Sequence, residues 1–330
     1  MTPVISVKNL TKSFRVYKKE PGFIGSIKSL INRKYYDKKA VDDISFEIEE
    51  GELVGFIGPN GAGKTTTLKC LSGLIFPTSG QVSILGFTPF DRKKDFLKQI
   101  SLVMGQKNQL WWDLPPMETF LLNKEIYEVP DKAFKKIIDE LVTLMGVEDI
   151  VNIQVRKLSL GQRMKCELIA QLIHHPKILF LDEPTIGLDV IMQQRLRDFI
   201  REYNRRFKAT IILTSHYMED VKDLCKKVIV IDNGKILYHG ELNNITKKYS
   251  ANKYLTVVFN KPVEKERLMH LGQIKSYEPT AVTLSVKRSN SNIIASKLLS
   301  DFPVEDLNIE EPDIQEIIRK LFLSAKHEIS

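Results

Sequence analysis

Gly58-Pro59-Asn60-Gly61-Ala62-Gly63-Lys64-Thr65-Thr66 satisfies the pattern G-x-x-x-x-G-K-[ST] at every fixed position. The apolar run Leu53-Val54-Gly55-Phe56-Ile57 before it reads as a buried strand and Lys64 to Leu71 after it as a helix, the setting in which such a loop holds phosphate. A loop that wraps a triphosphate turns its backbone N–H groups inward, and glycines at 58, 61 and 63 permit the close approach and positive φ angles this needs. The helix start adds unpaired N–H groups and the positive end of its dipole. Lys64 is expected to reach the β- and γ-phosphates, and the Thr65 hydroxyl suits Mg²⁺. Charge-assisted hydrogen bonds contribute roughly 1.5–3 kcal/mol each, so several converging donors offset the desolvation of a polyanion. Residues 58 to 66 are therefore the expected nucleotide-binding loop.

Working outward, Ile178-Leu179-Phe180-Leu181-Asp182-Glu183 is an apolar strand that ends in two carboxylates. Ligands sit at strand ends in open α/β sheets. Asp182 is placed there to hold Mg²⁺ through water, and Glu183 to orient or deprotonate a water aimed at the γ-phosphate. The short apolar runs Ile178–Leu181 and Thr210–Leu213 lie between helical stretches, as central strands of a parallel sheet do, which makes the class α/β.

The remaining chain divides by composition. At 330 residues it suggests one large domain, 1–245, and a smaller one, 246–330. Residues 15–39 form a basic insertion in which Arg15, Lys18, Lys19, Lys28, Arg33, Lys34, Lys38 and Lys39 face only Glu20 and Asp37. Phe23, Ile24, Ile27, Leu30 and Ile31 recur there at helical intervals, and two readings stand: an amphipathic helix on an anionic lipid surface, or a solvated loop packed on the body. Ile44, Phe46 and Ile48 alternate as a half-buried strand. Residues 89–165 take on helical periodicity and read as a helical insertion. From 252 onward the pattern restarts: strand Tyr254–Phe259, helix Glu264–His270, strands Ile274–Tyr277 and Ala281–Val286, helix Ser291–Leu299, strand Val304–Ile309. That βαββαβ order is ferredoxin-like, with Asp313–Leu323 as an added helix.

Leu158-Ser159-Leu160-Gly161-Gln162 precedes an apolar helix. With the phosphate loop, Asp182-Glu183, Gly187-Leu188-Asp189, Gln106 and Ser215-His216, it completes an ordered set by which residues 4–245 resemble the ATPase subunit of ATP-binding cassette (ABC) transporters, most closely bacterial export ATPases of the drug-resistance and polysaccharide-export kinds. The resemblance implies a P-loop NTPase (RecA-like) core carrying an antiparallel β subdomain and a helical subdomain, with ATP and Mg²⁺ bound. It makes Glu183, His216, Gln106 and Lys64 the catalytic set and Thr65, Gln106 and Asp182 the Mg²⁺ set, with Gln109 as the alternative to Gln106. Phe14 would stack on adenine, with Tyr35 or Tyr36 as fallbacks. Ser159, Leu160, Gly161 and Gln162 would cap the γ-phosphate held by a second subunit, and Asp189 would couple the two sites; Leu160 stands where the family usually has glycine.

The implied partners are an integral membrane permease and a second ATPase subunit, a second copy of this chain being the first expectation. The place implied is the cytoplasmic face of the membrane, consistent with the absence of any run of ~18 apolar residues. Anionic lipid contact through 15–39 is a further expectation, and nucleic acid is not expected despite the net charge of +8. Trp111 and Trp112 either border a groove for a permease helix or fill the core of the helical lobe. Two other functions compete: an importer ATPase with a ligand-sensing C-terminal domain, and a soluble ABC protein of ribosomes or DNA, whose paired cassettes or coiled coil are not evident here. Cys70, Cys166 and Cys225 lack metal or disulfide spacing, and His174 and His175 read as structural.

Overall fold

The computed structural model describes residues 3–17, 35–105, 109–215, 217–249 and 252–327. It falls into two compact units, Met1–His239 and Gly240–Ser330.

Strand β1 (Ile5–Tyr17) carries a bulge at Asn9, which adopts a left-handed φ of 52°. The extra residue shifts the inward series from 5 and 7 to 10, so Ile5, Val7 and Leu10 all reach the core. β1 pairs antiparallel with β2 (Tyr35–Ile48), setting Phe14 opposite Lys38 and Arg15 opposite Asp37. The amphipathic stretch expected within 15–39 falls on residues outside those described. β3 (Leu53–Ile57) leads into helix α1 (Lys64–Leu71), and β4 (Ser79–Ile84) completes a three-stranded sheet in the order β2-β1-β4.

A short helix α2 (Lys94–Leu97) precedes β5 (Ile100–Met104), a sheet strand inside the span that reads as helical in sequence. Helices α3 (Pro116–Ile126) and α4 (Asp131–Met145) form the lobe that follows. In α4 the apolar positions Phe134, Ile137, Ile138, Leu141, Val142 and Met145 all turn inward, the spacing of one helical face. Then come α5 (Leu160–Leu172), β6 (Ile178–Asp182), α6 (Val190–Phe207), β7 (Thr210–Thr214), α7 (Met218–Leu224), β8 (Lys227–Asp232) and β9 (Lys235–Glu241). The second sheet of this unit runs β5-β6-β7-β3-β8-β9. Its pairings from β5 through β8 are parallel, so the ends of β3, β6 and β7 open on one edge. Ile5, Phe46, Phe56, Phe180, Ile212 and Ile229 belong to one buried cluster spanning both sheets.

The second unit contains α8 (Leu242–Tyr249), β10 (Asn252–Phe259), β11 (Gln273–Glu278), β12 (Ala281–Lys287), α9 (Ser291–Asp301), β13 (Val304–Glu310) and α10 (Ile314–His327), with sheet order β11-β12-β10-β13. Leu255, Val257, Phe259, Leu284 and Leu298 form its core. The helix expected at Glu264–His270 is only a 3₁₀ turn, Lys265–Arg267. In that stretch Leu268 alone is buried while Met269 is exposed, too little apolar burial to offset the nucleation cost of a longer helix. Among the described residues no helix is long and apolar enough to cross a membrane.

Candidate active site

The phosphate loop joins β3 to α1, and its glycines are set by close approach. A methyl group on Gly58 would stand 2.3 Å from the Ile231 carbonyl oxygen, and one on Gly63, whose φ is 109°, 2.3 Å from that of Ala40. The Lys64 ammonium folds back over the loop and donates to the carbonyls of Gly58 at 2.7 Å and Pro59 at 3.1 Å. Burial pulls its pKa below the ordinary lysine value, opposed by the nearby Glu183 and Asp182 carboxylates.

Because β7 lies between β6 and β3, the hydroxyl at its end can reach the carboxylate at the end of β6. Thr214 Oγ1 donates to Asp182 Oδ1 at 2.7 Å, while Thr65 Oγ1, on the first turn of α1, donates to Asp182 Oδ2 at 2.8 Å. One carboxylate thus bridges the helix after the loop and the centre of the sheet. The next residue, Glu183, has a φ of 54°, a conformation that costs a non-glycine residue energy and persists only where neighbours enforce it. Its N–H donates to the Thr214 carbonyl at 3.1 Å and to Thr214 Oγ1 at 3.0 Å.

These groups border a cleft of about 540 Å³ whose walls include Phe14 and Lys38 from the antiparallel sheet, Asn60 and Thr65 from the loop region, and Glu183. Phe14 is partly exposed there, with the Lys12 ammonium 5.1 Å from its ring centre. Tyr35 and Tyr36 do not line the cleft; Tyr35 instead meets Tyr17 edge-on and carries Arg15 over its face. The donors gathered here, a threonine hydroxyl and a carboxylate, are the hard oxygen ligands that Mg²⁺ takes.

Ser159–Gln162 lie outside this cleft. Ser159 caps α5 with a reciprocal pair of bonds: its Oγ accepts from Gln162 N at 3.3 Å, and its own N–H donates to Gln162 Oε1 at 2.9 Å. Asp189 caps α6, accepting from Met192 N at 2.9 Å. Gln106 and His216 lie outside the described residues. The alternative glutamine, Gln109, donates to the Leu102 carbonyl at 3.1 Å and its N–H reaches Glu167, so it is tied to β5 and absent from the cleft lining. Trp111 and Trp112 are 56% and 50% exposed, so neither fills the core of the helical lobe; Arg163 lies 5.6 Å from the Trp112 ring centre. His174 stacks on Tyr127 and hydrogen-bonds the Ile100 carbonyl, a structural setting.

Sequence reasoning missed the hydroxyl clasp of Thr214 on Asp182 and the buried carboxylate of Asp220, which binds Thr185, Ser215 and Arg197. No local pattern marks either; a threonine ending an apolar strand is the sole hint of the first.

An ABC transporter family model matches residues 41–186, and a model of the C-terminal domain of EvrA-like ABC transporters matches 251–310. The ABC transporter ATP-binding protein NatA of Bacillus subtilis is 35% identical over 218 residues, 65% of this chain and 88% of NatA. The Nod factor export ATP-binding protein I of Neorhizobium galegae is 28% identical over 289 residues, 87% of this chain and 82% of that protein. A dimeric ATP-binding cassette solved in a post-hydrolysis state with ADP and Pi superposes with a TM-score of 0.59 at 23% identity, covering 72% of this chain and 98% of that one.

Proposed function

The chain belongs to the ATP-binding subunits of ABC transporters, ATPases that power transport, and from that membership we propose that it drives a separate membrane permease in export, through ATP-dependent closure of a head-to-tail dimer. The observation that carries the reading is the Asp182 carboxylate held between Thr65 and Thr214 at the wall of a cleft that also takes in Glu183. Export is supported by the Nod factor export relative, which aligns over most of both chains.

In this reading ATP lies in the cleft with its phosphates in the loop 58–66 and its adenine against Phe14. The Lys64 ammonium exchanges its loop carbonyls for phosphate oxygens. Thr65 and Asp182, with Gln106, would hold Mg²⁺, which would supply positive charge against the phosphates. Glu183 orients and deprotonates the attacking water, and His216 bridges that carboxylate and the γ-phosphate. Ser159, Gly161 and Gln162 of a second copy present the start of α5 to the same phosphate, and Asp189 links the paired sites. Loss of the γ-phosphate removes those bridging contacts and lets the dimer open. The chain then sits on the cytoplasmic face of the membrane through its permease, with Trp111 and Trp112 at the contact and the basic segment 15–39 against anionic lipid.

The test is Glu183→Gln in the purified full chain. ATP binding is retained and hydrolysis falls at least ~100-fold, the scale of losing one preorganised transition-state group. Near-parental turnover in that variant rejects Glu183. Recovery of a stable complex with a permease that transports without a solute-binding protein supports export; dependence on such a protein assigns import.

A further inference from the structure

Asp220, on α7, is completely buried, yet it is no part of the cleft. Its Oδ2 accepts two hydroxyl bonds at once, from Thr185 Oγ1 and from Ser215 Oγ, both at 2.6 Å. Its Oδ1 accepts from Arg197 Nη1 at 2.9 Å, and Arg197, itself only 4% exposed, also places Nε 3.1 Å from Asp223 Oδ2 and donates to Gln194 Oε1. The charge of Asp220 is therefore paired and both its oxygens are used, the condition under which a buried carboxylate is tolerated.

The two hydroxyls belong to the two chain segments that flank the reacting phosphate in the reading above. Thr185 stands two residues after Glu183, and Ser215 immediately precedes His216. Glu183 carries a positive φ and is bracketed: Asp182 before it is clasped by Thr65 and Thr214, and Thr185 after it is clasped by Asp220. Gln193 of α6 supports the same loop by donating to the carbonyls of Thr185 and Leu188. Ser215 Oγ also accepts the N–H of Tyr217 at 3.0 Å.

We propose that Asp220 is a positioning residue for hydrolysis: by gripping Thr185 and Ser215 with one oxygen, it holds Glu183 in its strained conformation and keeps that carboxylate in register with the end of β7. The inference rests on the assignment of Glu183 as the group acting on water. It gives the buried Arg197–Asp220 pair a role in rate rather than in nucleotide affinity, because none of its members lines the cleft.

Removing the carboxylate would leave Arg197 buried without its partner, so the test removes the hydroxyls instead. In the full chain, Thr185→Val and Ser215→Ala are each expected to lower kcat ~10–100-fold, the cost of misplacing a reacting group by about 1 Å, while ATP affinity stays within about twofold. Thr185→Ser, which keeps the hydroxyl, is expected to restore the parental kcat. Placed on Glu183→Gln, Thr185→Val is expected to change the residual single-turnover rate by less than about twofold, since the group it positions is already gone. Parental kcat in both hydroxyl variants, equal losses of kcat and ATP affinity, or failure of Thr185→Ser to rescue would each overturn the role of Asp220. If Glu183→Gln is impaired and the hydroxyl variants are not, the positioning role falls alone; if Glu183→Gln hydrolyses ATP normally, the parent reading falls and takes this one with it.

Discussion

Leu160 lies against Gly187: its Cδ2 atom stands 2.9 Å from the position a β-carbon on Gly187 would occupy. The residue that replaces the family's usual glycine in the signature run is thus packed on the loop that leads to Asp189, within one chain.

Gly187→Ala is accordingly expected to destabilise the chain on two counts, the φ of 74° at that position and the contact with Leu160. The left-handed conformation alone costs about 1–2 kcal/mol in a residue with a β-carbon. Adding Leu160→Gly relieves only the contact, so denaturant unfolding of the single and double variants separates the two costs.

Thr214→Val removes the hydroxyl that orients Asp182 while preserving shape. The expected outcome is a Mg²⁺ half-saturation point for hydrolysis raised roughly 10–100-fold, as follows from loss of a group that orients a metal ligand. A titration of ATPase activity with Mg²⁺ reads this; an unchanged half-saturation point rejects the clasp.

Trp111→Ala and Trp112→Ala change half-exposed side chains, whose replacement alters stability by no more than about 0.5 kcal/mol. Unfolding and basal ATPase are expected to stay at parental values while co-purification with the permease falls. Undiminished permease binding removes these residues from the interface.

Burial pushes the His174 imidazole down to about 4, because its Nδ1 has no hydrogen-bond partner among the described residues and charging the ring would leave that N–H unsatisfied. The folded pKa lies below the unfolded value of about 6.5. Stability from this group is therefore full above about pH 6.5 and is lost as pH falls toward 4, by about 3 kcal/mol at most. His174→Gln is expected to flatten unfolding free energy against pH in that window; an unchanged slope assigns the acid sensitivity elsewhere.

The loop from Gly58 to Thr66 between a strand and a helix, and the carboxylates Asp182 and Glu183 at the end of an apolar strand, were legible without coordinates, since each depends on residue types at short, fixed spacing. The same holds for the parallel-sheet class, which apolar runs between helical stretches dictate. Beyond that range the sequence is silent. The bond from Thr65 to Asp182 joins residues 117 apart and that from Thr214 to Asp182 residues 32 apart, and both exist because the sheet order inserts β7 between β6 and β3. Only that folding put Phe14 rather than Tyr35 or Tyr36 on the cleft wall, set Leu160 on Gly187, and closed Asp220 over Thr185 and Ser215. Local pattern encodes what a segment can bind; which segments share a carboxylate is decided by strand adjacency, a property that no single segment carries.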